Sequence, residues 1–486
     1  MTSALDTFEV GGDLREAAVR TAARLAPGNG LPHPRDLALL AECEPLSPPP
    51  VWNDAAAAVL SAQLTARARQ DALTLGSGLI DRFFDDVRLI RPASLSAGAR
   101  SLLYSSVAEY ACSLAMADVA ARFAEEAMLF ADTPGLTYRA VATAAFAAGL
   151  DGDVEQTQRL LDRADGLFRA QGWPATERLL VTFFARITVA SARADAPTLE
   201  GIAVDLRATQ PGDAFWEFTA GMAEVIARLF RGDVTGALAG SAHLLHSSGI
   251  HSSWLGCRLH VVCMHADLLV ASGQLEEALA LLAPWQTPEG HGVCFPTHRA
   301  TVLLHLRRDR DLIAETDLCA ADEAGHNPRT FGPLLARRAL AFERLGAHRR
   351  AQRCMEAVVL LTARIGVSAV PFLSLPPDEV RFLLDAVAAE RPSSRPVVDQ
   401  ILALLDLTVA SATDTFDNSA TADLTPTERA LASALQTPSS LADIARERGV
   451  SLNTVRSQVR SIYVKLGVNG RAEAVRRLTT TPSPER

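Results

Sequence analysis

"DLLVASGQLEEA", Asp267 to Ala278, decides how most of this 486-residue chain is built. An apolar helical pattern runs into Gly273, and a second one starts two residues later. A glycine there can take the left-handed backbone conformation that ends a helix, so the stretch is read as one helix turning tightly into the next. The same punctuation recurs in "AFAAGLDGDVEQT" around Gly152, "ARLFRGDVTGA" around Gly232 and "AFERLGAHRRA" around Gly346. Seven residues before these four glycines stand Ala145, Val225, Ala266 and Ala339. Five after them stand Thr157, Ala237, Ala278 and Ala351, small enough to let two helices approach closely.

Weaker turns near Ala194 ("ARADAP") and Asp309 ("RRDRD") fill the gaps, giving successive spacings of 42, 38, 41, 36 and 37 residues. A period near 40 predicts stacked helical hairpins, which bury their apolar faces only against neighbours and so form a curved, quasi-one-dimensional solenoid. Composition agrees. The chain is 48% hydrophobic but only 6% aromatic, and it is rich in Ala, Leu and Arg, residues that lose little freedom in a helix. The expectation is an all-α protein. Its array resembles the degenerate tetratricopeptide-like (TPR-like) arrays of bacterial regulators, matching at the Gly and Ala positions and not in the fuller repeat signature.

The opening residues, "MTSALDTFEVGGDLREAAVR", have early acidic groups and no basic-then-apolar order, and no run of 18 apolar residues follows anywhere. No secretory signal and no membrane span are expected, which points to a cytoplasmic protein. Seven cysteines (43, 112, 257, 263, 294, 319, 354), an odd number without a CxxC pair, suit reduced thiols.

The net charge of −9 is unevenly spread. Residues 424–478 hold nine Lys/Arg against four Asp/Glu, a net of +5, while residues 1–423 hold 37 against 51, a net of −14. Between them "SATDTFDNSATAD", Ser411 to Asp423, reads as a linker. The expected organisation is an array over 1–410, a linker over 411–423 and a small basic domain over 424–480.

Within that domain "SLNTVRSQVRSIYVKLGV", Ser451 to Val468, holds Lys465, the only lysine in the chain. On a helix from Leu452 to Leu466, Val455, Val459, Ile462 and Leu466 form one apolar stripe. Asn453, Arg456, Ser457 and Arg460 face away, with Thr454, Gln458, Ser461 and Lys465 along one flank. A shorter helix, Leu441 to Arg448, precedes it, closed by Gly449, and Ser451 is placed to cap the second helix. Two helices joined this way describe a helix-turn-helix whose second helix can enter a major groove about 12 Å wide.

"LTPTERALASAL" followed by "SSLADIARERGVSLNTVRSQVRSIYVKLGVNGRAEAVRRL" resembles the LuxR-type helix-turn-helix domain of bacterial transcription factors. The matching pieces are Leu424-Thr425 with Glu428, Ile444-Ala445, Gly449-Val450-Ser451, Thr454-Val455-Arg456, Lys465-Leu466-Gly467-Val468 and Arg471-Ala472-Glu473-Ala474-Val475. Three positions depart from the pattern: Pro438 stands where glycine is common, Gln458 where histidine is frequent, and Arg448 where an apolar residue is usual.

The resemblance implies a four-helix domain on double-stranded promoter DNA, with base-edge contacts from Arg456, Ser457 and Arg460 and phosphate contacts from Thr454, Gln458 and Lys465. Arginine forks suit guanine edges and a point-charge lysine suits phosphate. It further implies homodimer contacts through Val475 and Leu478 on the last helix, and RNA polymerase as a partner. The region 4 fold of sigma factors shares "TVRS" but lacks the final "KLGV" and "RAEAV".

Other functions find no foothold. A nucleotide-binding P-loop needs GxxxxGK[ST], and the single lysine is elsewhere. No strand–helix alternation suggests a phosphorylated receiver domain. Histidines gather in "HLLHSSGIHSSWLGCRLHVVCMHAD" (His243, His246, His251, His260, His265) and in "HGVCFPTH" (His291, Cys294, His298), but the spacing fixes at most two ligands together, so no metal and no cofactor are expected. No nucleophile–base spacing stands out, and a non-enzyme is expected. The leading expectation is a DNA-binding transcriptional regulator whose array receives a signal or a protein partner. The alternative is an array-type adaptor that uses the small domain for dimerisation or docking.

Overall fold

The computed structural model describes residues 12–69, 78–247, 249–288, 291–406 and 450–466, with single positions 428, 431, 435, 441, 444, 445, 468, 470, 471 and 474. The expected linker over 411–423 lies outside these residues. The chain divides into two compact units, residues 1–230 with 234–406 and residues 231–233 with 407–486.

The larger unit is helical almost throughout. It opens with α1 (Gly12–Ala22), α2 (Pro34–Glu42), α3 (Asp54–Ala68) and the short α4 (Gly78–Asp81). A two-residue hairpin follows, β1 (Phe84–Asp85) antiparallel to β2 (Arg88–Leu89) with Phe84 opposite Leu89. Seven helical hairpins come next among the described residues: α5 (Ala97–Ser113) with α6 (Ala117–Phe130), α7 (Pro134–Asp151) with α8 (Val154–Gln171), α9 (Leu180–Ala192) with α10 (Ala196–Thr209), α11 (Ala214–Phe230) with α12 (Val234–His246), then past the short α13 (Gly249–Ser252), α14 (Leu255–Ala271) with α15 (Leu275–Leu282), α16 (Phe295–His305) with α17 (Asp309–Ala321), and α18 (Pro328–Arg344) with α19 (His348–Ile365). Helix α20 (Pro377–Glu390) packs on α19. First helices pack on those of the next hairpin from α5 to α11 and from α14 to α18, and α12 packs on α14 to join the two runs, which makes the stack a solenoid.

The second hairpin shows how sequence produces the unit. Thr133 caps α7 by accepting from Leu136 N, and Pro134 sits at the first helical turn, where its missing N–H costs nothing. Gly152 ends α7 at φ 99°, and Asp153 caps α8 by accepting from Gln156 N at 2.8 Å. All eight residues expected at the helix–helix seams are buried, none more than 2% exposed.

The turn expected at Asp309 falls instead at Arg307 (φ 60°), so the spacings on either side are 34 and 39 residues. Ala194 (φ 53°) makes the other weak turn, and Ala115 (φ 62°) makes one that the sequence reading missed. Ala115 obeys the same rule as the glycines. Ala108, seven before it, and Ala120, five after it, are both fully buried.

The array differs from an open, neighbour-only stack, because it coils back on itself. Helix α18 touches α7, α19 touches α8, and Ala369 N donates to Ala192 O at 2.8 Å. The closure borders a mainly apolar, partly open cavity of about 120 Å³, its wall including Phe146, Phe184, Met222, Ile226, Cys257 and His260.

Gly152 sits on the closing seam, where an added Cβ would lie 2.8 Å from Arg329 Cβ, whereas Gly273 (φ 78°) has nothing within 4 Å of that position. Gly273→Ala should therefore cost only backbone strain, about 1–2 kcal/mol. Gly152→Ala adds overpacking and should cost about 2–4 kcal/mol. Thermal unfolding of the two variants checks the order; equal losses would mean the seam yields freely.

Candidate nucleic-acid interface

The smaller unit is organised around α21 (Leu452–Leu466). Ser451 caps it: its Oγ accepts from Thr454 N at 3.1 Å and lies 2.8 Å from Thr454 Oγ1. Val455, Val459 and Ile462 are buried with Leu431, Leu435, Ile444, Ala445, Val468 and Ala474, so the expected stripe faces the small core. The turn into the helix is closed by Val450 N donating to Ala445 O at 3.1 Å. The side chains of Asn453 and Leu466, and the proposed dimer residues Val475 and Leu478, lie outside the described residues.

Arg456, Ser457 and Arg460 are all exposed, on the face opposite the stripe. Among the described residues neither arginine pairs with a carboxylate, so two guanidiniums one helical turn apart keep their donor forks available. The flank divides differently. Thr454 is exposed but its hydroxyl is engaged with the cap, and Gln458 is half-buried. Ser461 Oγ donates to Glu428 Oε1 at 2.8 Å, and Lys465 Nζ donates to Glu428 Oε2 at 2.7 Å. Glu428 is only 7% exposed. Lys465 thus ties the helix to the segment carrying Glu428, while two of its three N–H donors remain. Glu428 was visible as part of "LTPTE" but not as the partner of Lys465.

Residues 422–478 match the family described as bacterial regulatory proteins, luxR family. The chain carries a LuxR-type domain. That domain type binds DNA in transcriptional regulators, and in this chain its second helix-turn-helix helix is α21. No curated protein matches the chain. Among solved structures, the crystal structure of Rap protein complexed with competence and sporulation factor is similar to it at 12% identity and a TM-score of 0.49, over 73% of this chain and 97% of that one. Among the described residues, no helix is long and apolar enough to cross a membrane.

Outside the LuxR-type domain, the histidines that cluster in sequence disperse in space. His243, His246 and His251 are exposed, and His265 lies 2.8 Å from Ser241 Oγ. His298 lies 3.0 Å from Asp267, and that carboxylate with Cys263 raises its pKa against the opposing effect of burial. His260 on the cavity wall accepts from Arg329, and burial, then that guanidinium, holds its pKa well below the usual range. Burial pushes the neighbouring Cys257 thiol up to about 12, so it is an unreactive part of the wall. All seven cysteines are free, as expected. His291 and Cys294 are drawn together with Cys319 and His326, two residues that the sequence reading did not join to them.

Proposed function

We propose that the chain is a sequence-specific transcriptional regulator that acts without catalysis in the cytoplasm. The observation that carries this reading is the exposed Arg456–Ser457–Arg460 face on the capped helix of a LuxR-type domain, its arginines unpaired among the described residues. With α21 in the major groove, the two arginines meet base edges in a bidentate manner, and Ser457 approaches a base between them. Thr454, Gln458 and the remaining donors of Lys465 lie along the phosphates. Two copies pair on the operator through Val475 and Leu478, and the complex recruits or blocks RNA polymerase. The array receives the signal or a protein partner; its mainly apolar cavity supports that role because it offers a preformed concave, apolar surface.

The test is a mobility-shift titration of the full chain on the promoter beside its own gene and on a shuffled duplex, at several salt concentrations. The promoter should bind more tightly. On both duplexes log K should fall by about 0.9 per neutralised phosphate for each unit of log salt. Failure to bind either duplex at low salt would favour the adaptor alternative.

A further inference from the structure

His291, Cys294, Cys319 and His326 each offer a ligand atom, and these four atoms all lie within 4.8 Å of one another. The residues come from three separate segments: the turn before α16, where His291 takes a left-handed φ of 46°; the last turn of α17; and the loop into α18. Cys294, Cys319 and His326 are 2%, 6% and 8% exposed. Nothing in helix packing requires two thiols and two imidazoles to converge there.

The distances match one ion. Tetrahedral zinc, with Zn–S of about 2.3 Å and Zn–N of about 2.0–2.1 Å, sets S···S near 3.8 Å and S···N near 3.6 Å. Cys294 Sγ lies 3.9 Å from Cys319 Sγ and 3.7 Å from His326 Nε2. The surroundings of the ligands agree too. His326 Nδ1 is 2.8 Å from Asp322 O; a carbonyl can only accept, so the proton sits on Nδ1 and the lone pair of Nε2 faces the sulfurs. That backbone bond is how zinc-bound histidines are oriented. Among the described residues, His291 Nδ1 is buried with no hydrogen-bond partner, a cost that coordination through that nitrogen removes.

We propose that His291, Cys294, Cys319 and His326 bind one zinc ion in a closed, structural Cys₂His₂ site. Binding Zn²⁺ displaces the two thiol protons to solvent, leaving a neutral complex of one dication and two thiolates, which suits a buried position. Four protein ligands leave no open coordination position, so the role is structural and not catalytic. The soft donors exclude Mg²⁺ and Ca²⁺. The ion fixes the cavity wall: Gly292 and Val293 on one ligand segment and Pro328 and Arg329 beside the other all line the cavity. Gly292 also lies so close to the Ala115 carbonyl that no side chain fits between them. Zinc therefore clamps the segments that shape the interior of the array.

The test uses the full chain made without a histidine tag. Metal analysis should find one zinc per chain, and the chelator-stripped protein titrated with Co²⁺ should develop thiolate charge-transfer and intense tetrahedral visible bands that saturate at one equivalent. The double variant Cys294→Ser/Cys319→Ser should lose affinity by about tenfold to a hundredfold or more, while Cys354→Ser keeps the ion. Should the double variant fail to fold, the Co²⁺ spectrum of the unmutated chain decides alone. Absence of tetrahedral bands in folded protein, unchanged zinc in the double variant, or a Cys294–Cys319 disulfide in the freshly isolated chain would each overturn the proposal.

Discussion

Arg456→Ala and Arg460→Ala should each weaken binding at the cognate operator by about 1–3 kcal/mol, roughly 5- to 150-fold, while leaving shuffled DNA much less affected. Both side chains are exposed on the outward face of α21, and neither resolves into an ion pair among the described residues. Truncating them should change folding stability by no more than about 0.5 kcal/mol. The loss is then a loss of recognition, confined to one base pair per arginine. Competition titrations against operators substituted one position at a time measure it, and equal losses on cognate and shuffled duplexes would overturn the base-reading role.

Lys465→Ala should behave in the opposite way, with a stability loss joined to a sequence-independent loss of DNA affinity. Its ammonium is the charged partner of Glu428, whose side chain is 10% exposed against 33% for the lysine. Removing the cation leaves a nearly buried carboxylate without its ammonium partner, while Ser461 still donates to it. Breaking a fully buried pair costs about 3–5 kcal/mol and an exposed one up to about 1, so this intermediate pair should cost about 1–3 kcal/mol. The double variant Lys465→Ala/Glu428→Gln removes both charges, and most of the stability should return while the phosphate contact stays lost. Urea unfolding beside DNA titration separates the two effects. A double variant as unstable as the single one would show that Glu428 is held by something other than this pair.

The hairpins were legible in the sequence wherever glycine supplied the left-handed turn, as at residues 152, 232, 273 and 346. Where Ala115, Ala194 and Arg307 take that conformation, the chain accepts backbone strain that composition does not advertise, so one turn was missed and another misplaced by two residues. The seams survived this, because the small or apolar residues at −7 and +5 are dictated by helix contact and not by the turn. Residues 300 and 312 around Arg307, an alanine and a leucine, are fully buried.

In the small domain the stripe and the outward face were legible because helical periodicity alone sets them. The Glu428–Lys465 clamp was not, since it joins positions 37 residues apart through the fold. The four converging ligands were illegible for the same reason: 25 residues separate Cys294 from Cys319, and only the return of α17 onto α16 brings them together.

The closing contact between Ala369 and Ala192 has a consequence for how the interior comes into being. Each hairpin can zip from its own turn, since its partners lie within about forty residues. The bond from Ala369 N to Ala192 O cannot, because it joins two points with four whole hairpins between them, and its loop-closure entropy is recovered only after those hairpins have stacked. Closure is therefore a late event. A chain that completed every local seam and stopped there would be helical and well packed, yet it would lack the cavity that the closure shapes.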